Sequence, residues 1–206
     1  MNRRSLLQTL TAGAALATLP ALSQAQQKGK DYVDITPPQP GGTGGNVEVL
    51  EFFSFMCPHC HDFEPRLLPW VKKLPAYVSF KRVPVGFGRP DWTALARMYL
   101  TLNVLGLNEK LDAKVFEAIH TQRVALHDEK TRNEWLTKQG VDVPKFNDTW
   151  RSFGVESQFK RAEQLARDYK VPGVPALAIN GRWMVNAGEN VFKTADQLIA
   201  QARGSK

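Results

Sequence analysis

The sequence predicts an α/β fold in which a sheet domain is interrupted by an all-helical insertion. Three observations carry that expectation. The apolar run Val47-Glu48-Val49-Leu50-Glu51-Phe52-Phe53 reads as a buried strand, and it feeds directly into Cys57-Pro58-His59-Cys60. From Pro90 to about Tyr169 the apolar spacing turns helical. Strand signals then return on either side of Asn180-Gly181, a hairpin turn pair.

In chain order, residues 1–25 read as a secretory signal peptide. Arg3 and Arg4 form a positive start, Leu6 to Leu19 an apolar stretch, and Ser23-Gln24-Ala25 a small-residue cleavage site, so Gln26 begins the mature chain. The apolar stretch falls short of the roughly 20 residues a membrane helix needs. Asn2-Arg3-Arg4-Ser5-Leu6-Leu7 resembles a twin-arginine signal, but paired arginines are common in ordinary leaders, and the general secretory route is favoured. Residues 26–46 form an arm rich in Pro and Gly, in which Tyr32-Val33-Asp34-Ile35 alternates like an edge strand.

After the strand at 47–53, Pro58 suits the first turn of a helix continuing through Phe63, Leu67, Leu68 and Val71, which Pro65 or Pro69 should kink. Tyr77 to Val83 is the next strand, closed by Pro84. Five helices follow. The first is capped by Asp91 and carries Leu95, Met98, Tyr99 and Leu102; the second carries Leu111, Val115, Phe116 and Ile119. The third is capped by Asp128 and stopped by Gly140; the fourth is marked by Phe146, Trp150 and Phe153, and the fifth by Phe159, Ala162, Leu165, Ala166 and Tyr169. Ala176–Ile179 and Arg182–Val185 are strands joined by a two-residue turn, and Thr194-Ala195-Asp196-Gln197 opens a C-terminal helix as a capping box. The domains are therefore 47–89 with 170–206 as the sheet domain and 90–169 as the insertion.

The formal charge is +7 over 206 residues, and loss of Arg3 and Arg4 with the leader leaves +5. The basic residues are interspersed with acids, which argues for a solvated surface and against nucleic-acid binding. The chain has two cysteines, too few for a disulfide scaffold in an exported protein. The pair is thus available for chemistry.

A Cys-x-x-Cys at a strand-to-helix junction is a redox dithiol arrangement. The first helical turn offers unpaired amides and the positive end of the dipole to Cys57, which lowers its pKa. His59 favours the same thiolate by charge or hydrogen bonding. Cys60, one turn in, is more buried, so Cys57 is the nucleophile and Cys60 the resolving partner. Each unit by which the Cys57 pKa falls below 7 stabilises the reduced state by about 1.4 kcal/mol, or roughly 30 mV. A permanent disulfide across so short a loop would remove little entropy from the unfolded chain. A zinc site would need more ligands than Cys57, Cys60 and His61 supply, because His120 and His127 lack a paired spacing. Val174-Pro175 runs straight into a strand, where proline is normally excluded; a cis bond would turn its edge towards the dithiol, but the sequence alone leaves the isomer open.

Val49-Leu50-Glu51-Phe52-Phe53-Ser54-Phe55, then Cys57-Pro58-His59-Cys60, then Gly173-Val174-Pro175-Ala176 and Val185-Asn186 together resemble the DsbA family of periplasmic thiol-disulfide oxidoreductases. The resemblance covers nearly the whole mature chain and implies a thioredoxin-like fold interrupted by a helical insertion. It implies Cys57 as attacking thiolate, Cys60 as resolving thiol and His59 as the tuning residue. Pro175 would be the cis-proline beside the sulfurs, and Val174 would offer backbone bonds to an extended substrate. Glu51 would be the buried acid beneath the site, relaying a proton for Cys60, with Lys81 and Glu64 in the same charge cluster. His61 departs from the aromatic residue often found after the motif and would add positive charge near the sulfurs. The implied activity is disulfide donation to newly exported cysteine-containing proteins in the periplasm, with reoxidation by a DsbB-like membrane protein and no small-molecule cofactor. A monomer is expected. A disulfide reductase or isomerase, and a non-catalytic peptide-binding chaperone, are the alternatives.

Overall fold

The computed structural model describes residues 27–204, so the expected signal peptide and its cleavage site lie outside the described residues. Five strands form one mixed sheet: β1 (Tyr32–Asp34), β2 (Val47–Phe53), β3 (Val78–Pro84), β4 (Ala176–Ile179) and β5 (Trp183–Val185), in the order β1-β5-β4-β2-β3. β2 and β3 run parallel because the helix α1 (Pro58–Val71) crosses between them; the other pairs are antiparallel. Between β3 and β4 lie α2 (Pro90–Val104), α3 (Asn108–His120), α4 (Glu129–Lys138), α5 (Val143–Trp150) and α6 (Phe153–Asp168), and the described chain closes with α7 (Val191–Gly204). No helix among the described residues is long and apolar enough to cross a membrane.

The pleat of β2 divides the core by parity. Val47 and Val49 pack with Phe63, Leu67 and Trp70 of α1 and with Leu198 and Ile199 of α7. Leu50 and Phe52 face the other way, onto Ala162 and Ala166 of α6 and Tyr169 just beyond it. Both faces are covered, which is why β2 reads as a nearly continuous apolar run and not as an alternation. Phe53 and Phe55 at its end join a third cluster with Leu95, Met98, Leu111 and Phe116 of the insertion, and both cysteines belong to that cluster.

Several local expectations hold. Asp128 accepts from the Thr131 amide at 2.8 Å and caps α4, and Gly140, with φ +73°, follows its end. β1, drawn from the arm, is an edge strand paired with β5. Others change. Asp91 lies inside the first turn of α2, which begins one residue earlier at Pro90, where the missing N–H costs nothing. Phe153 opens α6 because the Ser152 hydroxyl accepts from the Val155 amide and starts a new helix there. Thr194 does not open α7: its amide already donates to the Asn190 carbonyl, so the helix starts at Val191 and Thr194 is buried within it. Helix α1 runs from Pro58 to Val71 with Pro65 and Pro69 both inside it. At the hairpin, Ile179 pairs with Trp183, leaving three residues in the loop and not two. Asn180 and Gly181 both take positive φ, as the turn pair demands.

Candidate active site

Cys57 is the N-cap of α1, with extended backbone (φ −86°, ψ 117°), and Pro58 occupies the first helical position. The loop before it is a tight turn in which the Cys57 amide donates to the Ser54 carbonyl (3.1 Å) and the Met56 amide to the Ser54 hydroxyl (3.2 Å). From this position the Cys57 sulfur lies beside the Cys60 thiol, which favours the thiolate most, and beside the Cys60 and His59 amides, which favour it further. Together with the charge of the exposed His59, they pull its pKa down to about 6 against a smaller opposing effect of burial. Cys60 moves strongly upward, because its proton is held by Cys57 and its sulfur is buried. The two thiols are reduced, and the order of exposure is the expected one, 4% for Cys57 and 1% for Cys60.

Opposite the sulfurs, the Val174–Pro175 bond is cis, and the Val174 carbonyl lies 3.4 Å from Cys57 Sγ, close enough to accept from the protonated thiol. A second cis bond, Thr36–Pro37, lies in the arm, where no sequence signal singled it out.

Beneath the dithiol, Glu51 is fully buried, on the same side of β2 as Phe53. Its partner in register on β3 is Arg82, whose Nε lies 2.6 Å from a Glu51 oxygen. The same guanidinium reaches Glu64 at 2.8 Å and Asp112 at 3.4 Å, and it stacks 4.1 Å from the centre of the Phe53 ring. Burial lifts Glu51 to about 7 despite Arg82, and lifts Asp112 to about 6. Burial pulls Arg82 down, but the three carboxylates outweigh it and leave Arg82 raised. Glu51 in turn contributes to the upward shift of Cys60.

Of the residues singled out in the sequence, Cys57, His59, Cys60, Val174 and Pro175 therefore converge on one sulfur pair, with Glu51 and Glu64 below it. Lys81 does not belong to the cluster. It is exposed and pairs with Glu48 at 2.7 Å, because β3 turns residue 82, not 81, towards Glu51. Arg82, Asp112 and Ser54 went unrecognised. A signal for Arg82 existed in the strand alternation, but choosing between adjacent basic residues required the β2–β3 register. His61 points towards α3, where its ring stacks on His120 with centroids 5.1 Å apart.

Residues 48–199 match the family described as DSBA-like thioredoxin domain. The thiol:disulfide interchange protein DsbA of Bordetella parapertussis is 44% identical over 94% of this chain and 96% of its own length. Its counterpart in Pseudomonas aeruginosa is 37% identical over 98% of each chain. The crystal structure of Pseudomonas aeruginosa DsbA matches with a TM-score of 0.82 at 38% identity, covering 87% of this chain and 96% of that one. That of the oxidoreductase DsbA from Xylella fastidiosa matches at 0.79 and 31%, covering 85% and 96%. By family match, by identity over nearly its whole length and by fold, the chain belongs to the DsbA-like thioredoxin family of thiol:disulfide oxidoreductases.

Proposed function

We propose that the chain works in the periplasm as a disulfide donor, with Cys57 as the exchanging sulfur. The observation that carries this reading is the depressed Cys57 thiol at the N-cap of α1, which favours the reduced pair and makes its disulfide a strong electron acceptor. A substrate thiolate attacks Cys57 Sγ of the oxidised pair. The Cys57–Cys60 bond breaks, a mixed disulfide forms and Cys60 leaves as a thiolate. Because Cys60 binds a proton tightly, it is protonated as it leaves, and Glu51, lifted to about 7, is the acid poised to relay that proton. A second substrate thiolate then attacks the substrate sulfur and expels the Cys57 thiolate. The substrate loses two electrons and the pair gains them. His59 stabilises the thiolate, while the cis Val174–Pro175 unit offers main-chain bonding to an extended client.

Reoxidation then falls to a DsbB-like membrane partner, with newly exported cysteine-containing proteins as clients and the enzyme acting as a monomer. We take residues 47–89 and 170–206 as the thioredoxin-like unit and 90–169 as the inserted one; the position of α2–α6 between β3 and β4 supports that division. The deciding test is equilibration of the purified pair with glutathione. The expected potential lies well above the roughly −200 to −230 mV of glutaredoxins. A value near or below that range overturns the donor role. Covalent adducts between a Cys60→Ala variant and thiol-containing clients are expected as well, and their absence would favour a binding-only chaperone.

A further inference from the structure

Outside the dithiol motif, two histidines close on the active-site turn. His120 ends α3, and its Nε2 lies 2.8 Å from the Phe55 carbonyl oxygen. A carbonyl only accepts, so Nε2 carries the hydrogen and donates it. The acceptor belongs to the Phe55–Met56 peptide, whose amide end donates to the Ser54 hydroxyl at 3.2 Å. That single peptide, one residue ahead of Cys57, is therefore pinned at both ends, and Phe55 is 1% exposed. A buried carbonyl that loses its partner reorients to find another. Rotation of this peptide would carry the Cys57 sulfur away from the amides of His59 and Cys60.

The same helix grips the far side of the motif. His61, the residue after Cys60, stacks on His120 with planes 16° apart. Phe116, one turn back on α3, meets Phe55 edge-on at 5.0 Å and lies 5.9 Å from His61. One face of α3 thus holds the residues on either side of the Cys57–Cys60 segment. His61 serves this packing as an aromatic ring would.

We propose that His120 is a positioning residue for thiol-disulfide exchange: through the Phe55 carbonyl it holds the loop that sets the Cys57 sulfur over the first amides of α1. The inference rests on Cys57 being the exchanging sulfur, as proposed above. It is tested with His120→Ala and with His120→Gln, whose side-chain amide restores a donor of similar reach. Three quantities are measured: the Cys57 titration by thiolate absorbance, the rate constant for mixed-disulfide formation with a thiol peptide, and the melting temperature. In His120→Ala the titration midpoint should rise by about half a unit and exchange should slow about tenfold, the scale of one buried hydrogen bond. His120→Gln should recover most of both. A His120→Ala protein that melts lower but titrates and exchanges like the parent overturns the proposal, as does failure of the Gln variant to recover while folded. Exchange that survives Cys57→Ser overturns both this inference and the assignment of Cys57; exchange abolished by Cys57→Ser but untouched by His120→Ala overturns this inference alone.

Discussion

At the N-cap of α1 a sulfur stands where most helices place a hydroxyl or carboxylate oxygen, and no side-chain cap bond forms there. The amides of the first turn act on Cys57 as an electrostatic well instead. Thiolate absorbance should titrate with a midpoint near 6 in the reduced protein and vanish in Cys57→Ser. The folded pKa is depressed, so the stabilisation it gives the reduced form is complete above the ordinary thiol range and is lost as pH falls through about 6. Glu51 behaves in the opposite sense. Its folded pKa is raised, so the fold is favoured at acid pH, and stability declines between about 4.5 and 7 as the buried carboxyl is forced to ionise. Glu51→Gln should therefore raise the unfolding free energy at pH 8 by roughly 1–3 kcal/mol and change it little at pH 4. Arg82 keeps Glu64 and Asp112 as partners in that variant. Urea titrations at the two pH values check this, and a loss of stability at pH 8 would show that the ion pair outweighs the burial penalty.

Among the elements, those specified by neighbouring residues were legible in the sequence, and those specified by distant ones were not. The Asn180-Gly181 turn is local: both residues need positive φ, and the pair announces itself. The loop's close contact with the arm is not local. A Cβ on Gly181 would sit 2.0 Å from the Gln39 carbonyl oxygen. Gly181→Ala should thus cost roughly 1–3 kcal/mol, from the strained φ and the clash together; thermal melting checks it, and a neutral result would mean the arm shifts freely. Asp128→Ala should cost about 1 kcal/mol by removing the cap of α4. Thr194 shows how a local signal fails. Its capping-box pattern is real, but α7 begins a turn earlier because Val191 and Ala195 bury against the sheet layer. Arg82 illustrates the second kind of failure: only the parallel register of β2 and β3 distinguishes it from Lys81. His120 is harder still. It lies 65 residues from its acceptor, and no spacing rule links them.

Across the whole molecule, the succession of strands and helices, with the helical block between β3 and β4, follows the pattern of apolar periods and was readable; the strand order in the sheet and the packing of that block against the sulfurs were not. Phe53, Phe55, Cys57 and Cys60 share a core with α2–α6, not with α1 and α7 alone. The redox state should therefore be felt globally. The reduced protein, with its stabilised thiolate, should unfold at a higher urea concentration than the oxidised one at pH 7, and the gap should narrow as pH approaches 5. Equal midpoints at both pH values would remove the thermodynamic basis for disulfide donation.

Because its catalytic loop leans on the inserted helices, this scaffold resists reduction to a minimal catalyst. Deleting the block from Pro90 to Asp168 would uncover Phe53 and Phe55 together with both sulfurs. A shortened version would present water with a greasy, nucleophilic patch, and its first reaction would be with another copy of itself.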